Sequence, residues 1–217
     1  MRRAALLAAA LAVGCSPELR RSFPVGLLGP VSSRIAAEAG RLGLAVSDAP
    51  PAGAAVETTV IQGEKGGAAE VTANWETLRF LAARAAVRGA GGVFFRLSRT
   101  PEGRDLLDYP EEWQAVIRAV RELTAMKPVL ERGTLVVQPF EVPDGLEVRA
   151  WTYRGRRYVL LVNSTSADAP LNAEDFVPWR ALFEVRSDAR YVLKPCGTKH
   201  CLSPGKALWL EGRLLSR

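Results

Sequence analysis

Residues 82–98 read AARAAVRGAGGVFFRLS: the end of an alanine-rich helical stretch, a glycine cluster, then an abrupt apolar run. The GAGG at 89–92 decides what kind of fold this is. A phosphate-cradling loop leaves a strand and enters a helix, so that free N–H groups at the helix start face the anion. Here the helix comes first and the strand second. A helix C-terminus presents carbonyls and the negative end of its dipole, which repel phosphate. The cluster therefore reads as a joint, with Gly89 as a left-handed C-cap and residues 90–92 leading closely packed into a buried strand, VFFRL.

Upstream, an apolar run FPVGLLG (23–29) precedes Val31, Ile35, Ala39 and Leu42 at helical spacing, and Leu44 to Ser47 is apolar again. That is a strand-helix-strand unit. Residues 48–55 (DAPPAGAA) form a linker or surface loop, and VETTVIQ (56–62) is one β-branched strand. Asn74 is placed to cap the next helix, with Glu76 in its first turn and Trp75, Leu78, Leu81 and Ala85 on one face. Downstream, Pro110 with Glu111 and Glu112 starts a further helix whose apolar face is Trp113, Val116, Ile117, Val120 and Leu123, and Pro128 is expected to end it. Beyond Arg132 the period becomes strand-like: TLVVQPFEV, LEVRAWTYR, RRYVLLVN, ALFEVRS, ARYVLK and KALWLEG, with a turn at Arg154-Gly155.

At 217 residues, 48% hydrophobic and 24% charged, the chain has material for one large or two small cores. The expected division is a signal at 1–14, an anchor and linker at 15–22, an α/β domain at 23–131 and a small antiparallel β-sandwich at 132–217. The formal charge of +6 falls to +4 once Arg2 and Arg3 are removed with the signal. The basic residues are scattered and aromatics are only 7%. Nucleic-acid binding, which concentrates basic charge beside stacking aromatics, is not expected.

MRRAALLAAALAVGC has two arginines, then an apolar stretch too short to span a bilayer, then small residues. Its ending, Leu11-Ala12-Val13-Gly14-Cys15, resembles the lipobox of bacterial lipoproteins, although that family prefers leucine where Ala12 stands. The resemblance implies cleavage before Cys15 and lipidation of its thiol, making the membrane a partner through that anchor. Ser16 in place of aspartate implies an outer-membrane destination where the organism has one. Two cysteines remain, Cys196 and Cys201 in PCGTKHC, and in an oxidising compartment a close pair in a turn-rich segment reads as a disulfide. The lone His200 lies between them, but zinc needs four ligands and this segment offers three at the wrong spacing. No metal and no cofactor are expected.

The order VIQG, WETLRFLAARAAVRGA, GGVFFRL, EEWQAVIRAVRELTAMKPVL resembles the last two β/α units of a glycoside-hydrolase-like (β/α)8 barrel, which is commonly followed by a β-sandwich. The fold class implied is α/β, with partial or reduced TIM-barrel-like units and a small antiparallel β-sandwich after them. A full barrel takes about 250 residues, more than twice the span of 23–131. The resemblance places Glu64, just after VIQG, where such enzymes carry their nucleophile. Retaining hydrolysis needs a second carboxylate, for which Asp48 is the nearest candidate. Arg96 and Arg99 stand where a ligand would meet the end of the last barrel strand. Each has a plainer reading: Glu64 as a solvated loop carboxylate, Asp48 as a turn former, and the arginines as partners of Glu102, Asp105 and Asp108. Two functions follow: non-catalytic binding of a glycan or an envelope protein, or hydrolysis of envelope or extracellular glycans.

Overall fold

The computed structural model describes residues 22–49, 52–59, 61–63, 69–71, 75–97, 105–137, 142, 144–171, 179–182, 193–196 and 199–213. The predicted strand-helix-strand unit is present as β1 (Val25–Leu28), α1 (Ser33–Arg41) and β2 (Ala45–Ser47). Ser32 caps α1, its Oγ accepting from the Ile35 N–H at 3.2 Å. The expected single strand at 56–62 is two. β3 (Ala55–Thr59) joins the parallel sheet, whereas β4 (Ile61–Gly63) pairs antiparallel with β5 (Ala69–Val71). Helix α2 (Trp75–Val87) then leads through the glycine joint to β6 (Val93–Leu97). Asn74, the expected cap of α2, lies outside the described residues.

A short 3-10 turn (Leu106–Asp108) precedes α3 (Pro110–Arg132). Pro128 does not end this helix, which runs one further turn to Arg132. Proline removes one backbone donor and crowds the carbonyl four residues back. Here the last turn is held from outside. Val129 is buried, its carbonyl accepts from the Gly133 N–H at 2.8 Å, and the Glu131 carboxylate accepts from the Phe23 N–H at 3.0 Å.

Every pairing in the first sheet is parallel, and its order is β2-β1-β6-β3. Helical crossovers join the neighbours β1 and β2, and β3 and β6, but β2 and β3 lie at opposite edges. The chain between Ser47 and Ala55 must pass between those edges, three strand spacings or about 14 Å across.

The later strands are β7 (Thr134–Val136), β8 (Leu146–Tyr153), β9 (Arg156–Asn163), β10 (Ala169–Leu171), β11 (Trp179–Leu182), β12 (Leu193–Cys196), β13 (Lys199–Leu202) and β14 (Ala207–Arg213). They form two antiparallel sheets, ordered β11-β14-β9-β8-β7 and β10-β13-β12. β8 and β9 meet at the expected turn, where Arg154 (φ 49°) and Gly155 (φ 71°) are both left-handed, the twist that a two-residue hairpin loop requires. Cys196 and Cys201 are disulfide-bonded across the β12–β13 hairpin, as the cysteine spacing predicts.

The period-two pattern of the five-stranded sheet divides two cores. Trp151, Leu160, Val162, Ala207 and Trp209 belong to a core that also contains the buried faces of α1, α2, α3 and the parallel sheet. Ala150, Val159, Leu161, Leu208 and Leu210 face the other way, packing with Leu171 and Leu202 of the three-stranded sheet. Helices α2 and α3 therefore have a sheet on either side. In α2 this requires small side chains: Ala82, Ala83, Ala85 and Ala86 are all buried. The first core is continuous across residue 132.

One ion pair lies inside this helical layer. The Arg79 Nε donates to both carboxylate oxygens of Glu122 at 2.9 Å, joining α2 to α3, and both side chains are buried. The guanidinia of Arg79 and Arg118 lie 5.5 and 4.5 Å from the centre of the Trp75 ring. Burial raises the Glu122 carboxyl pKa, and the Arg79 charge and hydrogen bond oppose that rise.

The joint has the predicted geometry. Gly89 has φ 87°, its N–H donates to the Ala86 carbonyl at 3.0 Å, and the Ala90 N–H donates to the Ala85 carbonyl at 3.0 Å. That is the Schellman pattern at a helix C-terminus. Gly91 donates to the Gly53 carbonyl at 2.7 Å, and a Cβ on Gly92 would lie 2.7 Å from the Pro24 carbonyl oxygen.

Two stability measurements check this architecture. Gly89→Ala has to hold an L side chain in the left-handed region and displace the Arg149 guanidinium, which occupies the space of its Cβ. Urea unfolding is expected to show a loss of about 2 kcal/mol. Arg79→Met is expected to cost about 3 kcal/mol at pH 7, while Arg79→Met/Glu122→Leu returns to within about 1 kcal/mol of wild type. Without Arg79 the buried Glu122 has a raised folded-state pKa. Its neutral form then stabilises the single variant below the unfolded pKa of roughly 4.3, and this contribution is lost as pH rises through the folded value.

Candidate functional site

Open parallel sheets gather ligand sites where the loops leave the C-terminal ends of their strands. In this chain that rim carries the residues after β1, β2, β3 and β6. Asp48 follows β2 and is exposed; Ser47 beside it forms a local turn, its Oγ donating to the Ala49 carbonyl at 2.6 Å. Arg96, near the end of β6, is also exposed. Leu28 pairs with Ser47 on one side and Arg96 on the other, so Ser47 and Arg96 are two strand spacings apart, about 10 Å. Glu64 and Arg99 lie outside the described residues, as does Cys15. The strand that enters the parallel sheet ends at Thr59, and Glu64 belongs to the segment linking β4 to β5.

The best-formed polar cluster on the rim is one the sequence reading assigned differently. Asp105 is 7% exposed. Its carboxylate accepts from the Ser32 Oγ at 2.6 Å and the Leu107 N–H at 2.9 Å. Asp108 accepts from the Asp105 N–H at 3.1 Å and from Arg34 at 3.0 Å. The Asp108 hydrogen bond, then the charges of Asp105 and Asp108, hold the Arg34 guanidinium still more firmly protonated. Both aspartates thus serve α1 and the 3-10 turn and both meet Arg34; Arg99 and Arg104, two of their expected partners, lie outside the described residues. The only local signal was the D-x-x-D capping pattern, because the partner lies about seventy residues upstream. These carboxylates tie the loop after β1 to the loop after β6.

A cavity of about 890 Å³ opens at the other end of the parallel sheet, beneath the glycine joint. Phe23, Gly89, Gly91, Leu130, Arg149 and Trp151 line it. Arg149 projects from β8 to the C-terminus of α2, donating to the Val87 carbonyl at 3.4 Å, and its guanidinium sits 5.8 Å from the Trp151 ring centre. A cation here complements the negative end of the helix dipole. Beside it, Arg88 forms a two-pronged bond to Glu147, at 2.6 and 2.7 Å. That hydrogen bond is the main cause of the lowered Glu147 pKa. Among the described residues no group of three His, Cys, Asp or Glu side chains is placed to hold a metal ion.

No family model and no curated protein matches this chain. Solved structures similar to it include Amy13B of Eubacterium rectale, at 13% identity and a TM-score of 0.44, covering 64% of this chain and 35% of that one. A GH27 β-L-arabinopyranosidase from Geobacillus stearothermophilus aligns at 10% identity and a TM-score of 0.39, covering 74% and 37%. A GH30 endoxylanase from Clostridium papyrosolvens aligns at 11% and 0.37, covering 88% and 49%. The chain thus spans between about a third and a half of each of these structures.

The Arg88–Glu147 bond makes a pH-dependent prediction. Because the folded Glu147 pKa is depressed, its contribution is present above the unfolded value near 4.3 and lost as pH falls through the folded value. Glu147→Gln should therefore lower stability on the neutral and alkaline side of a stability-against-pH curve measured by urea unfolding, and flatten part of its acid limb.

Proposed function

We propose that this chain is an exported protein, anchored through a lipidated Cys15, in which a reduced (β/α)8-like unit and a C-terminal β-sandwich serve binding at the cell envelope without glycan hydrolysis. The observation that carries the scaffold reading is the strand order. Closing an eight-stranded barrel pairs the last strand with the first, so its first two and last two strands stand side by side in the order 2-1-8-7. The order β2-β1-β6-β3 has the same connectivity. On this reading the four central units are reduced to residues 48–54, which places the missing part inside the chain.

The engagement of the rim carboxylates supports a binding role. Glycoside hydrolysis needs two carboxyl groups facing each other across a sugar, about 5 Å apart or 6.5–9.5 Å apart depending on stereochemical outcome. Asp105 and Asp108 instead cap one turn and share Arg34. Asp48 is exposed beside a local turn.

Hydrolysis assays with a panel of labelled envelope and plant glycans test this directly. The purified chain is expected to give no turnover, and Glu64→Gln and Asp48→Asn are expected to be indistinguishable from it. Turnover that falls by 10²-fold or more in either variant would transfer the function to the glycoside hydrolases. A glycan array and an envelope pull-down that both return nothing would remove the binding role.

A further inference from the structure

Resting on the Cys15 anchor, we infer that the end of the molecule carrying the glycine joint and strand β7 is a membrane-facing surface that seats on anionic phospholipid. The tether sets the first constraint. The described chain begins at Ser22 on the cavity beneath the joint, and the Phe23 N–H is fixed there by Glu131. From Cys15 to Ser22 even a fully extended chain reaches at most about 25 Å. A compact domain of this length has a radius of gyration of roughly 16 Å and is about 40 Å across. A lipid on Cys15 therefore holds the Ser22 end near the bilayer, with the opposite rim turned outward.

Side chains at that end suit the same partner. Leu135 and Val137 are 46% and 89% exposed, two of the three large apolar side chains exposed among the described residues. Leu135 alternates with Val136, which packs toward the second core, so it projects from the helix side of the edge strand, and Val137 follows directly after the strand. Leu135 also lines the cavity. Exposed Arg132 lies beside them, and Arg88 at the end of α2 is exposed on its pairing with Glu147. Arg20 and Arg21 add two charges to the tether itself. The rim at the other end carries Asp48, Asp105 and Asp108 beside Arg34 and Arg96. Apolar side chains beside basic ones bind a bilayer by insertion plus attraction to anionic headgroups, each Lys or Arg near the surface adding about 1 kcal/mol.

Lipidation and the disulfide leave no free thiol, so a cysteine introduced at one position reports that position alone. Val137→Cys and, as the contrast, Asp48→Cys would be made in the full chain and processed in a host that lipidates Cys15. Each would carry an environment-sensitive fluorophore and be reconstituted in phosphatidylglycerol-containing vesicles with nitroxide-labelled lipid. Quenching at position 137 is expected to exceed that at 48 at least threefold, with a blue-shifted emission, and to weaken when the vesicles contain only phosphatidylcholine. Equal quenching, or more at 48, overturns the assignment of the face. Incorporation of labelled palmitate, lost in Cys15→Ser, separately reports the anchor. Failure to incorporate it defeats the anchor reading and, with it, the proposal.

Discussion

Helix α2 has to bury two faces at once, and the rest of the architecture follows from that. The parallel sheet covers one side of the helical layer and the five-stranded antiparallel sheet covers the other. A helix in that position leaves only a narrow edge to solvent, through Thr77 and Arg84, and its two buried faces must be apolar. Its side chains must also be small where the sheets come close, and Ala82, Ala83, Ala85 and Ala86 meet both conditions. The exception is Arg79, a buried charge that Glu122 on α3 neutralises. Such a pair contributes little net stability over an apolar pair of similar volume. It joins the two helices through the Arg79 Nε alone, and the buried Arg79 Nη2 has no hydrogen-bond partner among the described residues.

The glycine joint ends this layer, and its chemistry is set by what crowds it. A side chain at Gly89 would collide with Arg149, and one at Gly92 with Pro24. Arg149 in turn comes from the antiparallel sheet, so the end of α2 is where the two halves of the chain are fastened together. Arg88–Glu147 and Lys206–Glu76 add further cross-links between α2 and the later strands. The joint that a glycine count alone suggests to be a ligand loop is a structural clamp.

Much of this was legible in the sequence because it is local. Helical periodicity located α1, α2 and α3, alternation located β8, β9 and β14, and the direction of the chain through GAGG identified the cap. The disulfide followed from the close spacing of Cys196 and Cys201. What was not legible depends on tertiary context. Pro128 was read as a stop because its local cost is real, yet contacts from Phe23 and Gly133 carry the helix past it. VETTVIQ looks like one strand, but its two ends join different sheets. The pairing of Asp105 and Asp108 with Arg34 spans too much sequence to be seen locally. The strand order, which bears most on ancestry, is a property of the assembled sheet. The alternating strands beyond residue 132 suggested an independent unit, whereas Trp151, Leu160, Val162, Ala207 and Trp209 belong to the helical core.

Because the first core is continuous across residue 132, the sheets and helices it joins are expected to unfold as one cooperative body. Native-state hydrogen exchange along a urea series tests this most directly. The most protected amides of α2, of β6 in the parallel sheet and of β9 in the antiparallel sheet should converge on one opening free energy, equal to that of global unfolding. If β9 exchanges through an opening several kcal/mol different from that of β6 and α2, two units share an interface and the account is contradicted.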